Sequence, residues 1–122
     1  MLAVERMKVN QPKPQYFVNS TPTGDRRLAF LSRAGNWPAV VWLGGFRSDM
    51  RATKAEALDA WAARAGRTFL RFDYSGHGES DGRFEDGTIS DWLSDAVPVI
   101  CAEAGPAPAL GGSPMGGWLA LL

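Results

Sequence analysis

The spacing of apolar residues along the chain predicts a hairpin followed by two buried strands and a third, shorter one. Two β-prone segments, QYFVNS at 15–20 and RRLAFLSR at 26–33, flank a TPTGD stretch whose proline and glycine favour a turn. The apolar runs PAVVWLGG at 38–45 and RTFLRFDYSG at 67–76 are typical of strands covered on both faces. A shorter apolar segment, PALGGS, occupies 108–113 and predicts one more strand.

Helical periodicity appears between these strands. Thr53 and Glu56 have capping-box spacing, and Gly66 can end the helix that they begin. The apolar residues expected to face the sheet share a period of about 3.6: Leu58, Trp61, Ala62 and Ala65 in the first helix, and Ile89, Trp92, Leu93, Ala96 and Ile100 in the second. Strands that alternate with helices predict an α/β fold, with a mostly parallel sheet and helices on both faces.

Length and composition indicate one globular domain. The chain has 122 residues, 45% of them hydrophobic and 21% charged, and its 13 basic and 13 acidic side chains cancel. This balance disfavours nucleic acid and anionic membranes as partners. Cys101 is the only cysteine and cannot form an internal disulfide, and the first ten residues lack the apolar core of a signal peptide. We expect a cytoplasmic protein with a flexible arm over 1–14, where QPKP breaks regular structure.

Three glycine-bearing loops follow the predicted parallel strands, at 44–46, 75–78 and 111–117. Ligands bind beyond the carboxyl ends of the strands in such sheets, so any site is expected there. A dinucleotide site is disfavoured because G-x-G-x-x-G at 76–81 ends on Asp81, and 112–116 lacks the lysine of a phosphate loop.

Three motifs in these loops resemble those of a known family. VVWLGGFRSDM, FLRFDYSGHGESDG and LGGSPMGGWLALL, in this order, resemble the N-terminal half of an α/β-hydrolase. The resemblance covers 26–122 and is closest to the abhydrolase-domain acyl-protein thioesterases (depalmitoylases), the acyl-glucuronide esterases and their bacterial relatives. It implies that 15–122 form the N-terminal portion of one such domain, truncated within the helix after the nucleophile elbow. It also implies a serine hydrolase that acts on small acyl esters or thioesters and needs no cofactor.

The resemblance implies roles for the loop residues. The segment GSPMG at 112–116 would be a G-x-S-x-G nucleophile elbow if Pro114 were serine. Pro114 has no hydroxyl, and its ring fixes φ near −65° where the elbow needs a positive value. Ser113 is a weak alternative nucleophile, because a residue before proline favours an extended backbone. In the family the Asp and His partners follow the elbow, so we expect the chain to be inactive as written.

Backbone N–H groups of Phe46 and Met115 would form the oxyanion hole, although Gly44 and Gly45 could instead simply end a buried strand. His77, the only histidine, is expected to belong to a structural connection rather than to act as a base. An acidic cluster is expected to be a solvated loop and not a metal site: Asp73, Glu79, Asp81, Glu85 and Asp86.

A different class of function stays open beside the hydrolase. The scaffold could serve as a non-catalytic binding or interaction module that has lost its chemistry. The strand at 108–113 would then leave an exposed sheet edge, and such an edge favours self-association.

Overall fold

The computed structural model of the protein describes residues 13–22, 24–112 and 116. A short 3-10 turn, Phe84–Asp86, lies within the connection between the fourth strand and the second helix. The predicted hairpin, strands and two helices are all present within a few residues of their expected bounds. Their ranges are β1 (Gln15–Thr21), β2 (Gly24–Arg33), β3 (Asn36–Leu43), α1 (Thr53–Ala65), β4 (Arg67–Phe72), α2 (Ile89–Glu103) and β5 (Ala109–Gly112). Residues 1–12 of the predicted arm and nearly all of the helix expected after residue 114 lie outside the described residues.

The strands form one sheet in the order β1-β2-β4-β3-β5. β3 pairs in parallel with β4 on one side and β5 on the other, whereas β2 pairs antiparallel with β1 and β4. The sheet is therefore mixed, and its parallel part is β4-β3-β5. The reason is the length of the connections: a short turn joins β1 to β2, while α1 provides the crossover that parallel neighbours require.

Alternating side chains of β4 divide the core between two faces of the sheet. Leu70 and Phe72 pack in the main core together with Trp92 and Val99 of α2. Arg71, between them in sequence, forms an ion pair with α1 at Glu56. Because successive side chains of a strand point to opposite faces, the two helices cover opposite faces of the sheet, as predicted.

α1 differs from its prediction at its N-terminus. The N-cap residue is Ala52, which has no side-chain acceptor, so the predicted capping box at Thr53 and Glu56 is wrong. The predicted apolar face is also shifted, because Ala55 and Ala62 are buried while Trp61 remains 41% exposed. At the other end Gly66 adopts φ +65° and closes the helix, as predicted.

α2 has the capping box that α1 lacks. The Thr88 hydroxyl accepts from the Asp91 N–H, and the Asp91 carboxylate accepts from the Thr88 N–H. The helix continues through Pro98, which cannot donate to the carbonyl of Ser94. Asn19 of β1 donates its side-chain amide to that carbonyl at 3.3 Å and replaces the missing bond.

Candidate active site

The ends of the parallel strands bring the glycine-bearing loops to one edge of the sheet. β3 lies between β4 and β5, and the three strands run in the same direction. The loop that begins at residue 44, the loop that begins at residue 73 and Gly112, the last residue of β5, therefore lie at the same end of the sheet. The first two loops contact each other directly, since the Tyr74 hydroxyl donates to the Gly44 carbonyl at 3.2 Å. Burial raises the pKa of Tyr74, with a smaller contribution from Asp95, so the phenol stays a neutral donor.

The loop after β3 is a tight turn that exposes Phe46. The Ser48 N–H donates to the Gly45 carbonyl at 3.1 Å, which places Phe46 and Arg47 at the two central positions. The Phe46 side chain is 61% exposed. Within residues 13–22, 24–112 and 116, the Phe46 N–H has no hydrogen-bond acceptor. This donor lies at the carboxyl end of the central parallel strand, where a ligand is expected.

Ser113, Pro114 and Met115, three of the four predicted site residues, lie outside the described residues. The glycines on either side of them are described, and both lie against the end of β3. A Cβ at Gly112 would be 2.6 Å from the Leu43 carbonyl oxygen, and a Cβ at Gly116 would overlap the same oxygen. Gly116 has helical conformation. Only glycine fits at these two positions, so the chain passes from β5 towards a helix in close contact with β3.

His77 is buried between the loops rather than presented to solvent. Its Nδ1 lies 3.1 Å from the Ser75 carbonyl, and its Nε2 accepts from the Arg47 N–H at 3.3 Å. Both ring nitrogens therefore contact the backbone, as expected for a structural connection.

His77 is part of an aromatic cluster formed by Phe46, Tyr74, His77, Phe84 and Trp92. Ring centroids in the cluster lie 5.0 Å apart for Phe46 and Phe84, and also for His77 and Trp92. The Arg47 guanidinium lies over the Phe84 ring, 4.5 Å from its centroid. Edge-on contacts of this kind fix ring positions as well as burying apolar area. The cluster thus packs against both central residues of the turn, Phe46 and Arg47.

The acidic cluster was predicted to be a solvated loop, and for Asp73 this is wrong, because the residue is buried. Its carboxylate accepts from the Met50 N–H at 2.7 Å and from the Glu79 N–H at 2.9 Å. It therefore joins the loop after β3 to the loop after β4. Burial raises the pKa of Asp73 to about 6, against the opposing effect of these two hydrogen bonds. The other four acidic residues are exposed or partly exposed, as predicted.

A cavity of about 270 Å³ lies between these loops, lined by Arg47, His77 and Phe84 among others.

No group of three or more candidate metal ligands occurs in the part of the chain that the structure describes. None of the helices in that part is long and apolar enough to cross a membrane.

The sequence did not single out Arg47, or Asp95 of α2. Arg47 has φ +58°, which is uncommon for a residue other than glycine. Asp95 is fully buried, and it accepts from the Ser75 N–H and from Arg26. Asp95 lies three positions after Trp92 and therefore beside it on the helix surface, which was a signal that could have identified the second of these residues.

Comparison with known proteins gives consistent relatives. No protein-family model matches the sequence. The chain is 38% identical over 94 residues to human "Palmitoyl-protein thioesterase ABHD10, mitochondrial". The matched segment makes up 77% of this chain and 31% of that protein. A putative hydrolase from Agrobacterium vitis superposes with TM-score 0.83 at 44% identity, covering 91% of this chain and 44% of that one. Mouse "Alpha/beta hydrolase domain-containing protein 10" also gives TM-score 0.83, at 32% identity, covering 90% of this chain and 43% of that one. The chain spans about a third of the length of the curated relatives that it matches.

Proposed function

This chain belongs to the α/β-hydrolase family, and on that premise we propose that it forms the N-terminal portion of a serine hydrolase. The reaction would be nucleophilic acyl transfer from a carboxylic ester or thioester. The observation that carries the proposal is the Phe46 N–H, which has no acceptor among the described residues and lies at the end of β3. A preorganised N–H at this place can stabilise the oxyanion that develops on the substrate carbonyl.

The second oxyanion donor is proposed to be the Met115 N–H, and the nucleophile position is proposed to be residue 114. The close approach of Gly112 and Gly116 to Leu43 supports an elbow between them, because this turn needs small flanking residues. Pro114 supplies no hydroxyl, and no histidine or acidic residue follows it in the sequence. We therefore propose that these 122 residues alone do not hydrolyse esters, and that Ser113 does not substitute as the nucleophile.

The proposed substrate class is supported by the relatives and by the exposed aromatic ring. The relative with 38% identity is named as a palmitoyl-protein thioesterase. The Phe46 side chain is exposed beside its own N–H, so an acyl group bound there would meet an apolar surface. These observations support an acyl ester or thioester as the substrate of the complete domain. That relative is named as mitochondrial, and a cytoplasmic location for this protein stays a prediction.

The test is to restore the hydroxyl in a polypeptide that continues past Leu122 with the remainder of an α/β-hydrolase domain. Pro114→Ser in that polypeptide should react covalently with a fluorophosphonate and hydrolyse short acyl thioesters, whereas the matched Pro114→Ala variant should do neither. A folded Pro114→Ser protein without labelling would overturn the proposal. Turnover by the 122-residue chain, abolished by Ser113→Ala, would overturn the assignment of position 114.

One observation favours the second candidate, a non-catalytic interaction module. β5 lies at the edge of the sheet formed by the described residues, with Leu110 45% exposed. An unpaired edge can pair with the same edge of another copy. The module would therefore self-associate. Leu110→Lys should weaken the association in sedimentation experiments more than Val97→Lys, which changes an exposed side chain of α2 away from that edge. A monomer at every concentration would exclude this candidate.

A further inference from the structure

We propose that His77 is the positioning residue of the turn that carries the Phe46 N–H. Its ring holds Arg47 in a left-handed conformation and so fixes the direction of that turn. The use of the turn as an oxyanion donor rests on the proposed function, but the positioning itself does not.

The contacts of His77 determine which ring nitrogen carries the proton. The Ser75 carbonyl can only accept a hydrogen bond, so Nδ1, 3.1 Å away, must carry the hydrogen. The Arg47 N–H can only donate, so Nε2 must present its lone pair. One neutral tautomer satisfies both contacts, and the other satisfies neither. A ring held in this way has no free nitrogen with which to accept a proton from a nucleophile.

Arg47 needs the support that His77 gives. Its φ of +58° lies in the left-handed region, where the Cβ of a residue other than glycine crowds the backbone. In a tight turn, a non-glycine residue at the third position prefers negative φ, which would reverse the central peptide unit. The hydrogen bond to His77 and the contact of the guanidinium with Phe84 oppose that reversal.

The His77 ring is itself immobilised from several elements. It is 4% exposed and contacts the rings of Tyr74, Phe84 and Trp92 at centroid distances of 5.0–5.6 Å. The carbonyl that receives its Nδ1–H also accepts from the Trp92 indole N–H at 3.1 Å. The turn is thus connected to α2 through continuous contacts that run from Arg47 through His77 to Trp92.

The closing experiment measures amide hydrogen exchange in the 122-residue chain, resolved to Arg47. His77→Phe keeps a ring in the cluster but removes both hydrogen bonds, and should speed exchange at Arg47 by up to about tenfold, the worth of one such bond. His77→Gln, which returns an acceptor, should restore part of the protection. Trp92→Phe is the matched control: it removes a bond to Ser75 from the same cluster and should leave Arg47 protected. Unchanged exchange at Arg47 in His77→Phe would overturn the proposal.

A double-mutant cycle separates positioning from general stabilisation. With Arg47 present, reversal of the turn in His77→Phe releases the left-handed strain and offsets part of the lost hydrogen bond. Arg47→Gly has no such strain to release, so the loss of stability from His77→Phe should be larger in the Arg47→Gly background. Equal losses in both backgrounds would contradict the proposal. If His77→Phe fails to fold, nitrogen NMR of the unaltered chain decides, because a hydrogen on Nε2 instead of Nδ1 is incompatible with the proposed contacts. These measurements involve no catalysis, so failed labelling of Pro114→Ser would leave their outcome intact.

Discussion

At the scale of single residues, the buried carboxylate of Asp73 joins the two loops of the candidate site that follow β3 and β4. Asp73 lies in a stretch rich in charge and glycine, yet the residue is only 2% exposed. Two backbone N–H groups from different loops satisfy its oxygens. Gly78 makes this geometry possible, because a Cβ there would overlap the Asp73 carboxylate. Loss of water at the carboxylate outweighs the two hydrogen bonds, and the pKa therefore rises.

The first prediction is a pH dependence that belongs to Asp73. The pKa of this carboxyl rises from 3.8 to about 6 on folding, so its contribution to stability is full below pH 3.8 and is lost as the pH rises through 6. Relative to Asp73→Asn, the unaltered chain should gain about 2 kcal/mol in free energy of unfolding between about pH 7 and about pH 4.5. Urea denaturation at both pH values measures the difference.

Asp59 supplies the control for this measurement. The hydrogen bond from Arg33 lowers the pKa of Asp59, so its contribution is present at neutral pH and is lost on acidification. Relative to Asp59→Asn, the unaltered chain should therefore keep its stability over the same interval and lose it only below about pH 3.8. A stability difference between the unaltered chain and Asp73→Asn that does not change with pH would contradict the burial of Asp73.

At the scale of elements, the two helices show how a local signal depends on where the helix begins. Thr53–Glu56 and Thr88–Asp91 both have a threonine followed three residues later by an acid. Only Thr88 occupies an N-cap position, because α1 begins one residue too early for Thr53 to cap it. The spacing cannot decide where a helix begins, since both threonines satisfy it and only one of them is an N-cap.

The second prediction compares these two threonines. Thr88→Ala removes the acceptor for the Asp91 N–H and should cost about 1 kcal/mol in free energy of unfolding. Thr53→Ala, at the first helical residue of α1, removes no cap and should change stability by less than about 0.5 kcal/mol. Thermal or urea unfolding of both variants distinguishes them, and equal losses would show that α1 is capped by Thr53 after all.

The order of strands and helices could be predicted from the sequence because apolar runs and periodicity are local signals. The edge at which the loops meet could also be predicted, since it follows from parallel pairing of β3, β4 and β5. The contacts within the site could not. The bond from Arg47 to His77 joins residues 30 positions apart, and the bonds from Arg26 and Asn19 to Asp95 span 69 and 76 positions. Such pairs depend on the finished packing, which no local pattern encodes.

At the scale of the whole molecule, one buried carboxylate joins the hairpin, the second helix and the loop of the candidate site. Asp95 of α2 accepts from Asn19 of β1 at 3.3 Å, from Arg26 of β2 at 3.0 Å and from the Ser75 N–H at 2.8 Å. The antiparallel hairpin is thereby attached to the α/β part of the fold and not merely to the edge of its sheet. The attachment has a cost, since the buried Arg26 Nε has no partner among the described residues.

The third prediction compares two adjacent arginines of β2. Arg26→Met leaves the fully buried Asp95 carboxylate without a counter-ion and should cost about 2 kcal/mol, below the usual range for a buried pair because two neutral donors remain. Arg27→Met breaks the exposed pair with Asp81, whose side chains are 59% and 40% exposed, and should cost less than about 1 kcal/mol. Both variants keep a long apolar stem in place of the arginine. Urea denaturation measures the two losses, and similar values would mean that the Asp95 contacts do not hold the hairpin to the rest of the molecule.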